Sequence, residues 1–580
     1  MTPRKSRSRR WLPLALGLLA VLNLSGCGSL APKIAAEPAE PVAQKQPARP
    51  DLPAVPLTPE RLYKLVAAEM AGQRGDLPLA VHYYVELALE TRDPRIVERA
   101  TRIAMYAGDN ASALKTAELW VKLEPEQAKA HYALARLYVD TDDIPAAVRA
   151  LDEIVRKAGA TDQVFNDLVK LFARDARRNN VHAAMQQLAQ QYADNPAAQF
   201  ALSRVAEHAG KLDEALSAAE NAIRLRPKWV SAQQYYARLL HLQGRTDEAI
   251  TWLRTVLQEQ DDKVLHLTYA RMLVEARRFE QARKQFEIVL SRSPEDTDIL
   301  FALGVLSLQA NDLDAAEKYL SRLAEAGDHR IEAAYYLGQI AEDRKDYQQA
   351  IRWYTQVEQG EYAFEARLRV ASLYARQGNL EAALAHLDGT TTRGEEEHIR
   401  VYLARGDAMR EVGEYAAAVE MYNEALQEYP DNPDLLYARA LMAERIDRLD
   451  ILIADLKAIL AKQPQHPHAL NALGYTLADR TDRLDEALGY IEQAIKLLPD
   501  DPAILDSMGW VQYRLGNHAE AVRYLTRAYD LNNDAEIAAH LGEVLWVMGK
   551  QRRARKVWKQ GLEESPDDRT LKEVMKRFLP

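Results

Sequence analysis

The stretch Ile399 to Pro430 reads IRVYLARGDAMREVGEYAAAVEMYNEALQEYP, and most of the chain behind the first sixty residues is this unit rewritten. Gly413 marks a turn between two helical segments, and Pro430 stops the second of them. Gly406 stands where the two helices must approach closely, Ala418 and Ala425 keep the second helix narrow, and Leu403, Tyr415 and Tyr422 fill the space between. A single helix pair cannot bury its own apolar face, so it must stack on neighbours.

Aligned on this unit, repeats begin near residues 61, 94, 128, 162, 196, 230, 263, 297, 331, 364, 399, 433, 467, 502 and 535. The most telling column is the small residue early in the second helix: Ala80, Ala113, Ala147, Ala215, Ala249, Ala282, Ala316, Ala350, Ala383, Ala418, Ala487, Ala521 and Ala554, interrupted by Val181 and Leu452. A close-packing column in the first helix supports it, with Gly304, Gly338, Gly406, Gly474, Gly509 and Gly542, and alanine at 135, 237, 270 and 371. Pro125, Pro227, Pro294, Pro430, Pro464, Pro499 and Pro566 fall after second helices, where a residue that cannot continue a helix belongs. This pattern resembles the tetratricopeptide repeat (TPR), a helix-turn-helix unit of about 34 residues. The resemblance implies an all-α solenoid, a right-handed superhelix of about 15 units over residues 60–566. Residues 567–580 then form a charged terminal helix that caps the stack.

Three irregularities stand out. The repeat from 162 is degenerate, with Arg177, Arg178, Asn179 and Asn180 at its turn, and is expected to mark a bend or altered stacking. The segment Asp388 to Glu397, DGTTTRGEEE, lengthens one junction and is expected to act as a joint. His466-Pro467-His468 lies in an inter-repeat turn without cysteine ligands nearby, so a solvated turn is favoured over a metal site.

The chain opens with Arg4, Lys5, Arg7, Arg9 and Arg10, an apolar run from Trp11 to Leu22, and Leu24-Ser25-Gly26-Cys27. A basic segment followed by an apolar run of this length reads as a secretory signal over residues 1–26. Leu-Ser-Gly-Cys resembles the bacterial lipobox, which implies cleavage before Cys27 and acylation of its thiol; the bland alternative is an uncleaved signal with an idle cysteine. Gly28 rather than aspartate follows, and under the family rule for enteric bacteria this resembles outer-membrane sorting. Several acyl chains anchor durably where one would not. Cys27 is the chain's one cysteine, so no disulfide braces the rest. From residue 27 to 59 the sequence turns rich in proline and alanine, with a few glutamates and glutamines between, the composition of an extended tether that builds no core.

The formal net charge is −10, and loss of the five N-terminal cations takes it to about −15. An acidic, secreted chain is a poor nucleic-acid binder. No phosphate-binding loop, zinc-binding HExxH pair or GxSxG elbow occurs, so no catalytic residue, cofactor or metal is assigned. The many acidic residues read as solvated helix faces.

What remains is surface. In TPR proteins the second, fifth, ninth and twelfth positions of first helices tend to line the groove. The ninth position gives Arg102, Arg136, Lys170, Arg204, Arg238 and Arg271 in six consecutive repeats, then Val305, Gln339, Ser372, Asp407, Leu441, Tyr475, Trp510 and Glu543. The six cations make a positive stripe able to bind an acidic partner segment. Alternatively they pair with nearby acids, as Arg204 with Glu207, and hold repeats in register. Tyr437, Tyr475, Trp510, Tyr513 and Trp546 near inward positions of the C-terminal half are either recognition anchors or packed filler, the latter favoured.

A lipobox, a proline-rich tether and an almost unbroken repeat array resemble the outer-membrane TPR lipoproteins, and most of all the lipoprotein partner of a C-terminal processing protease. The resemblance implies a noncatalytic, lipid-anchored adaptor facing the periplasm of a Gram-negative bacterium. Its partners would be that serine protease and its cell-wall hydrolase substrates. The competing expectation is a TPR lipoprotein that assists an exopolysaccharide export or pilus secretin machine. A third class, a TPR-fused enzyme, would need a catalytic domain for which no sequence remains.

Overall fold

The structure is a computed structural model that describes residues 55–173, 177–327 and 329–579. The expected signal, Cys27 and nearly all of the tether lie outside the described residues. Among those described there are 31 helices and no strand, and no helix is long and apolar enough to cross a membrane. The chain divides into two compact units, one ending at Arg322 and one starting at Leu323.

In the first unit the helices pair as α1 Pro59–Arg74 with α2 Leu77–Thr91, α3 Pro94–Ala107 with α4 Asn110–Leu123, and α5 Ala128–Asp140 with α6 Ile144–Ala158, followed by α7 Asp162–Phe172 and α8 Arg178–Gln191, which do not pair closely with each other. Next come α9 Pro196–His208 with α10 Leu212–Leu225, α11 Val230–Leu242 with α12 Thr246–Glu259, α13 Lys263–Glu275 with α14 Phe279–Arg292, and α15 Thr297–Gln309 with α16 Leu313–Ala326, inside which the division falls. The second unit has α17 Arg330–Asp343 with α18 Tyr347–Tyr354, α19 Ala363–Arg376 with α20 Leu380–Asp388, α21 Glu395–Val412 with α22 Tyr415–Glu428, and α23 Pro433–Arg445 with α24 Leu449–Lys462. It continues with α25 Pro467–Arg480 and α26 Leu484–Leu497, α27 Pro502–Arg514 and α28 His518–Leu531, α29 Ala535–Val547 and α30 Gln551–Glu564, and ends on α31 Arg569–Phe578.

Local chemistry sets these boundaries. Asp93, Asn195, Asn432 and Asp501 cap first helices through side-chain oxygens that accept backbone N–H groups, and each is followed by a proline whose missing N–H costs nothing there. The seven prolines expected after second helices each stand just beyond a C-cap residue, as Pro430 does after Tyr429.

Packing explains the small-residue columns. All thirteen alanines of the second-helix column are fully excluded from solvent, and Val181 and Leu452 are buried in the same place. The glycine column sits under a side chain of its own partner helix: a Cβ at Gly304 would lie 2.7 Å from Leu320, and one at Gly542 would overlap the Trp558 indole. Because Trp558 is fully buried, that space cannot be made by a side chain swinging into water.

The irregular segments differ in part from their sequence reading. Glu395, Glu396 and Glu397 belong to the first turn of α21, which leaves only residues 389–394 as connector. Three carboxylates at a helix N-terminus are favoured by the helix dipole, so the acidic run extends the helix backwards. Asn179 and Asn180 lie inside α8 rather than at its turn. The degenerate repeat does stack differently, with α8 lying against α6 and α9 rather than α7, and it has a dense core in which Phe165, Phe172, Met185 and Leu188 are buried together. Two consecutive second helices, α18 and α20, are short, at 8 and 9 residues. At the C-terminus α31 is amphipathic: Leu571 and Val574 are buried against α29 and α30, and Phe578 stacks on Trp558 with ring centroids 6.0 Å apart.

Candidate functional site

The six cations of the sequence-predicted stripe all fall in the first unit, one on each of α3, α5, α7, α9, α11 and α13. They divide into two kinds. Arg102, Arg136 and Lys170 have side chains 68%, 47% and 62% exposed, with acids of their own helices nearby: Glu98 at 4.0 Å, Asp140 at 3.9 Å and Asp167 at 3.3 Å. Such exposed pairs hold their partners by about 0–1 kcal/mol, so these three cations stay available to a ligand.

The other three are engaged with structure. Arg204 donates to Asn166 Oδ1 at 2.7 Å, and Arg238 pairs with Glu207 at 2.7 Å while lying 4.6 Å above the Tyr235 ring. Glu207 thus serves the following repeat, where it also accepts from the Tyr235 hydroxyl. Asn166, Glu207 and the two arginines occupy fifth, twelfth and ninth positions of successive first helices, so these positions share one lining. Arg271 is half-buried, its Nε lacks a hydrogen-bond partner, and burial pushes its guanidinium pKa down against the opposing field of Asp298.

Arg204 also borders a cavity of about 380 Å³ whose wall includes Asp162, Asn166, Phe200 and Trp229. Phe200 meets Trp229 and Tyr235 edge-on at 4.8 and 5.3 Å, and Arg226 lies 4.4 Å above Trp229 while gripping Asp162 with both nitrogens at 2.7 and 3.0 Å. This aromatic wall was absent from the sequence reading. Phe200 at the fifth position of α9 is the signal that points to it.

In the second unit the expected aromatics split between the two readings. Trp546 packs against Trp558 and Phe578, and Trp510 is buried with its ring stacked on His540 at 4.3 Å and its Nε1 donating to Asp479 at 3.1 Å. Tyr513 donates to Glu543 Oε1 at 3.3 Å, and Tyr437 is half-buried near His466. Tyr475 instead lines a cavity of about 410 Å³. His466 caps α25, its Nδ1 accepting the Ala469 N–H at 3.1 Å. Among the described residues no group of three or more His, Cys, Asp or Glu is placed to hold a metal ion. Not every acid is a solvated face: Asp455, Asp506 and Glu543 are buried.

Stacked helix pairs whose first helices share a lining define a helical-repeat scaffold, a class that works by binding other proteins. Tetratricopeptide-repeat signatures match residues 100–162, 177–228, 268–331 and 453–502, and further ones match 206–272, 399–442 and 503–534. A TPR repeat-containing protein of Pseudomonas aeruginosa is 36% identical over 533 residues, which span 91% of this chain and 90% of that protein. The chain belongs to the tetratricopeptide-repeat family, whose members are generally noncatalytic scaffolds. Among solved structures it is similar to a thermophilic TPR protein of Thermus thermophilus, at 24% identity and a TM-score of 0.29 over 31% of this chain and 99% of that one. It is also similar to the APC/C hetero-tetramer Cut9–Hcn1, at 14% identity and a TM-score of 0.33 over 90% and 97% of the two chains.

Proposed function

We propose that this protein is an outer-membrane-anchored adaptor, acylated at Cys27, that binds a periplasmic C-terminal processing protease and its cell-wall hydrolase substrates and promotes their proteolysis. The observation that carries the reading is an acylation motif, Leu24-Ser25-Gly26-Cys27, joined by a proline-rich tether to a chain that is repeats throughout its described length. Such a chain has surface to offer and no chemistry of its own. It acts by holding enzyme and substrate on one scaffold, which turns their encounter into a nearly intramolecular event.

The test is affinity capture from a Gram-negative periplasmic extract with residues 29–580 as bait. Recovery of a processing protease together with cell-wall hydrolases supports the adaptor; recovery of a secretin or polysaccharide export channel without protease replaces it with the assembly-factor reading. Charge reversal at Arg102, Arg136 and Lys170 then probes the stripe, because these side chains are exposed and their loss leaves packing alone. The triple glutamate variant is expected to lose an acidic partner at least tenfold with unchanged helicity. Unaltered capture would remove the stripe from the binding surface.

A further inference from the structure

The cavity beside Tyr475 is bordered by α23, α24, α25, α27 and α29. Its wall contains four carboxylates, Glu444, Asp506, Asp534 and Glu536, and no lysine, arginine or histidine. Beside them lie aliphatic side chains, among them the buried Leu452, Leu456 and Ile537. A wall that combines aliphatic surface with four carboxylates matches a side chain with a methylene stem and a cationic head.

Two polar atoms in this wall lack a partner. Asp506 is 5% exposed; its Oδ2 faces His540 Nδ1 at 2.9 Å, whereas its Oδ1 makes no hydrogen bond. Asn471 Oδ1, in the same wall, is likewise unpartnered. Buried polar atoms in folded proteins are almost always paired, and both orphans accept rather than donate, so the site is short of a donor. No group of three or more His, Cys, Asp or Glu among the described residues is placed to hold a metal ion, and the aliphatic part of the wall suits a side chain with a stem better than a bare ion.

We propose that this cavity binds a lysine or arginine side chain presented by a protein segment lying against the first helices of the second unit, an inference that rests on the scaffold reading of the chain. The cationic head takes the acceptors at Asp506 and Asn471 and neutralises Glu444 and Glu536, while the stem covers the aliphatic wall. The electrostatics agree. Burial holds both glutamates above the ordinary carboxylate range; Asp479 adds to this at Glu444, where Arg445 and Arg480 oppose it, and Asp506, Asp534 and Glu444 add to it at Glu536, where His540 opposes it. An incoming cation relieves that crowding. Tyr475, whose hydroxyl donates to Glu536 Oε1 at 3.4 Å, orients one of the two rim carboxylates.

The test is fluorescence polarisation on the full chain with labelled heptapeptides that are identical except for a central lysine, arginine, norleucine or glutamate. The lysine and arginine peptides are expected to bind about tenfold tighter than norleucine, the scale of a charge-assisted contact, with glutamate weakest. Asp506→Asn is expected to erase the preference. Because Asp506 also holds His540, the double variant Glu444→Gln/Glu536→Gln supplies the same readout from residues at the cavity's rim. Equal affinity for lysine and norleucine, binding of no peptide, or a preference that survives the double variant overturns the proposal. Periplasmic capture by the same variants separates this from the adaptor reading: protease recovery without any lysine preference leaves the adaptor standing and removes the cavity, and the reverse result does the opposite.

Discussion

Gly542 and Gly489 show how differently one residue type acts in this array. Gly542 is the floor on which Trp558 rests, so Gly542→Ala forces a buried indole to shift and is expected to destabilise its repeat by about 1–3 kcal/mol, the usual range for overpacking. Gly489, inside α26, has nothing within 4 Å of where a Cβ would stand, and Gly489→Ala is expected to stabilise by up to about 1 kcal/mol through helix propensity alone. A repeat array does not unfold in one step, so hydrogen exchange within α26, α29 and α30 is the measure. Equal effects at the two sites would refute the packing account. The Gly542 column was legible in the sequence because it recurs with the repeat. The acceptor cavity was not: Glu444, Asn471, Asp506 and Glu536 stand at the twelfth, fifth, fifth and second positions of four successive first helices, all groove-lining positions. No single column contains all four, and each acid read by itself looks like a solvated face. Only stacking brings them to one wall.

Helix boundaries were legible where a residue enforces them and obscure where packing does. Seven prolines marked the ends of second helices, and the structure adds Asp or Asn caps at many helix starts, such as Asp93, Asn195, Asn432 and Asp501. The early end of α18 carries no such mark, since residues 355–362 contain no proline; Thr355 turns its hydroxyl back onto the Ile351 carbonyl at 2.9 Å, and Val357 is buried just beyond. The start of α21 was misplaced because Glu395–Glu397 resemble a solvated linker in composition yet suit a helix N-terminus electrostatically. The terminal helix α31 was expected to solvate the end of the stack, and it also closes the last core. Its Leu571 and Val574 are enclosed, at about 1.5–3 kcal/mol each, and Phe578 covers Trp558. Deleting residues 566–580 is therefore expected to lower the melting temperature of the last repeats, red-shift tryptophan emission and create binding sites for a hydrophobic dye. A truncated chain with unchanged emission and no dye binding would show that α31 is dispensable to the core.

At the scale of the whole molecule, the two units offer linings of different charge: exposed cations on α3, α5 and α7 in the first, and a carboxylate-walled cavity in the second. Each suits a segment of opposite sign, and the net negative charge of the chain keeps both contacts local rather than general. If the protein acts purely by tethering, its effect comes from effective concentration and disappears when the substrate has nothing to hold. The soluble repeats added to the protease are then expected to accelerate cleavage of a folded cell-wall hydrolase but leave a short chromogenic peptide at its basal rate. If residues 27–59 act as the tether their composition implies, deleting half of them is expected to slow degradation of membrane-distant substrates in cells while the soluble assay stays unchanged. Acceleration of the peptide would instead mean that binding favours the protease's active conformation, because a ligand moves such an equilibrium only by preferring one state. The charge-reversed stripe variant decides which surface is responsible: loss of hydrolase cleavage with the peptide rate untouched assigns tethering to α3, α5 and α7, and loss of both assigns activation to the same helices.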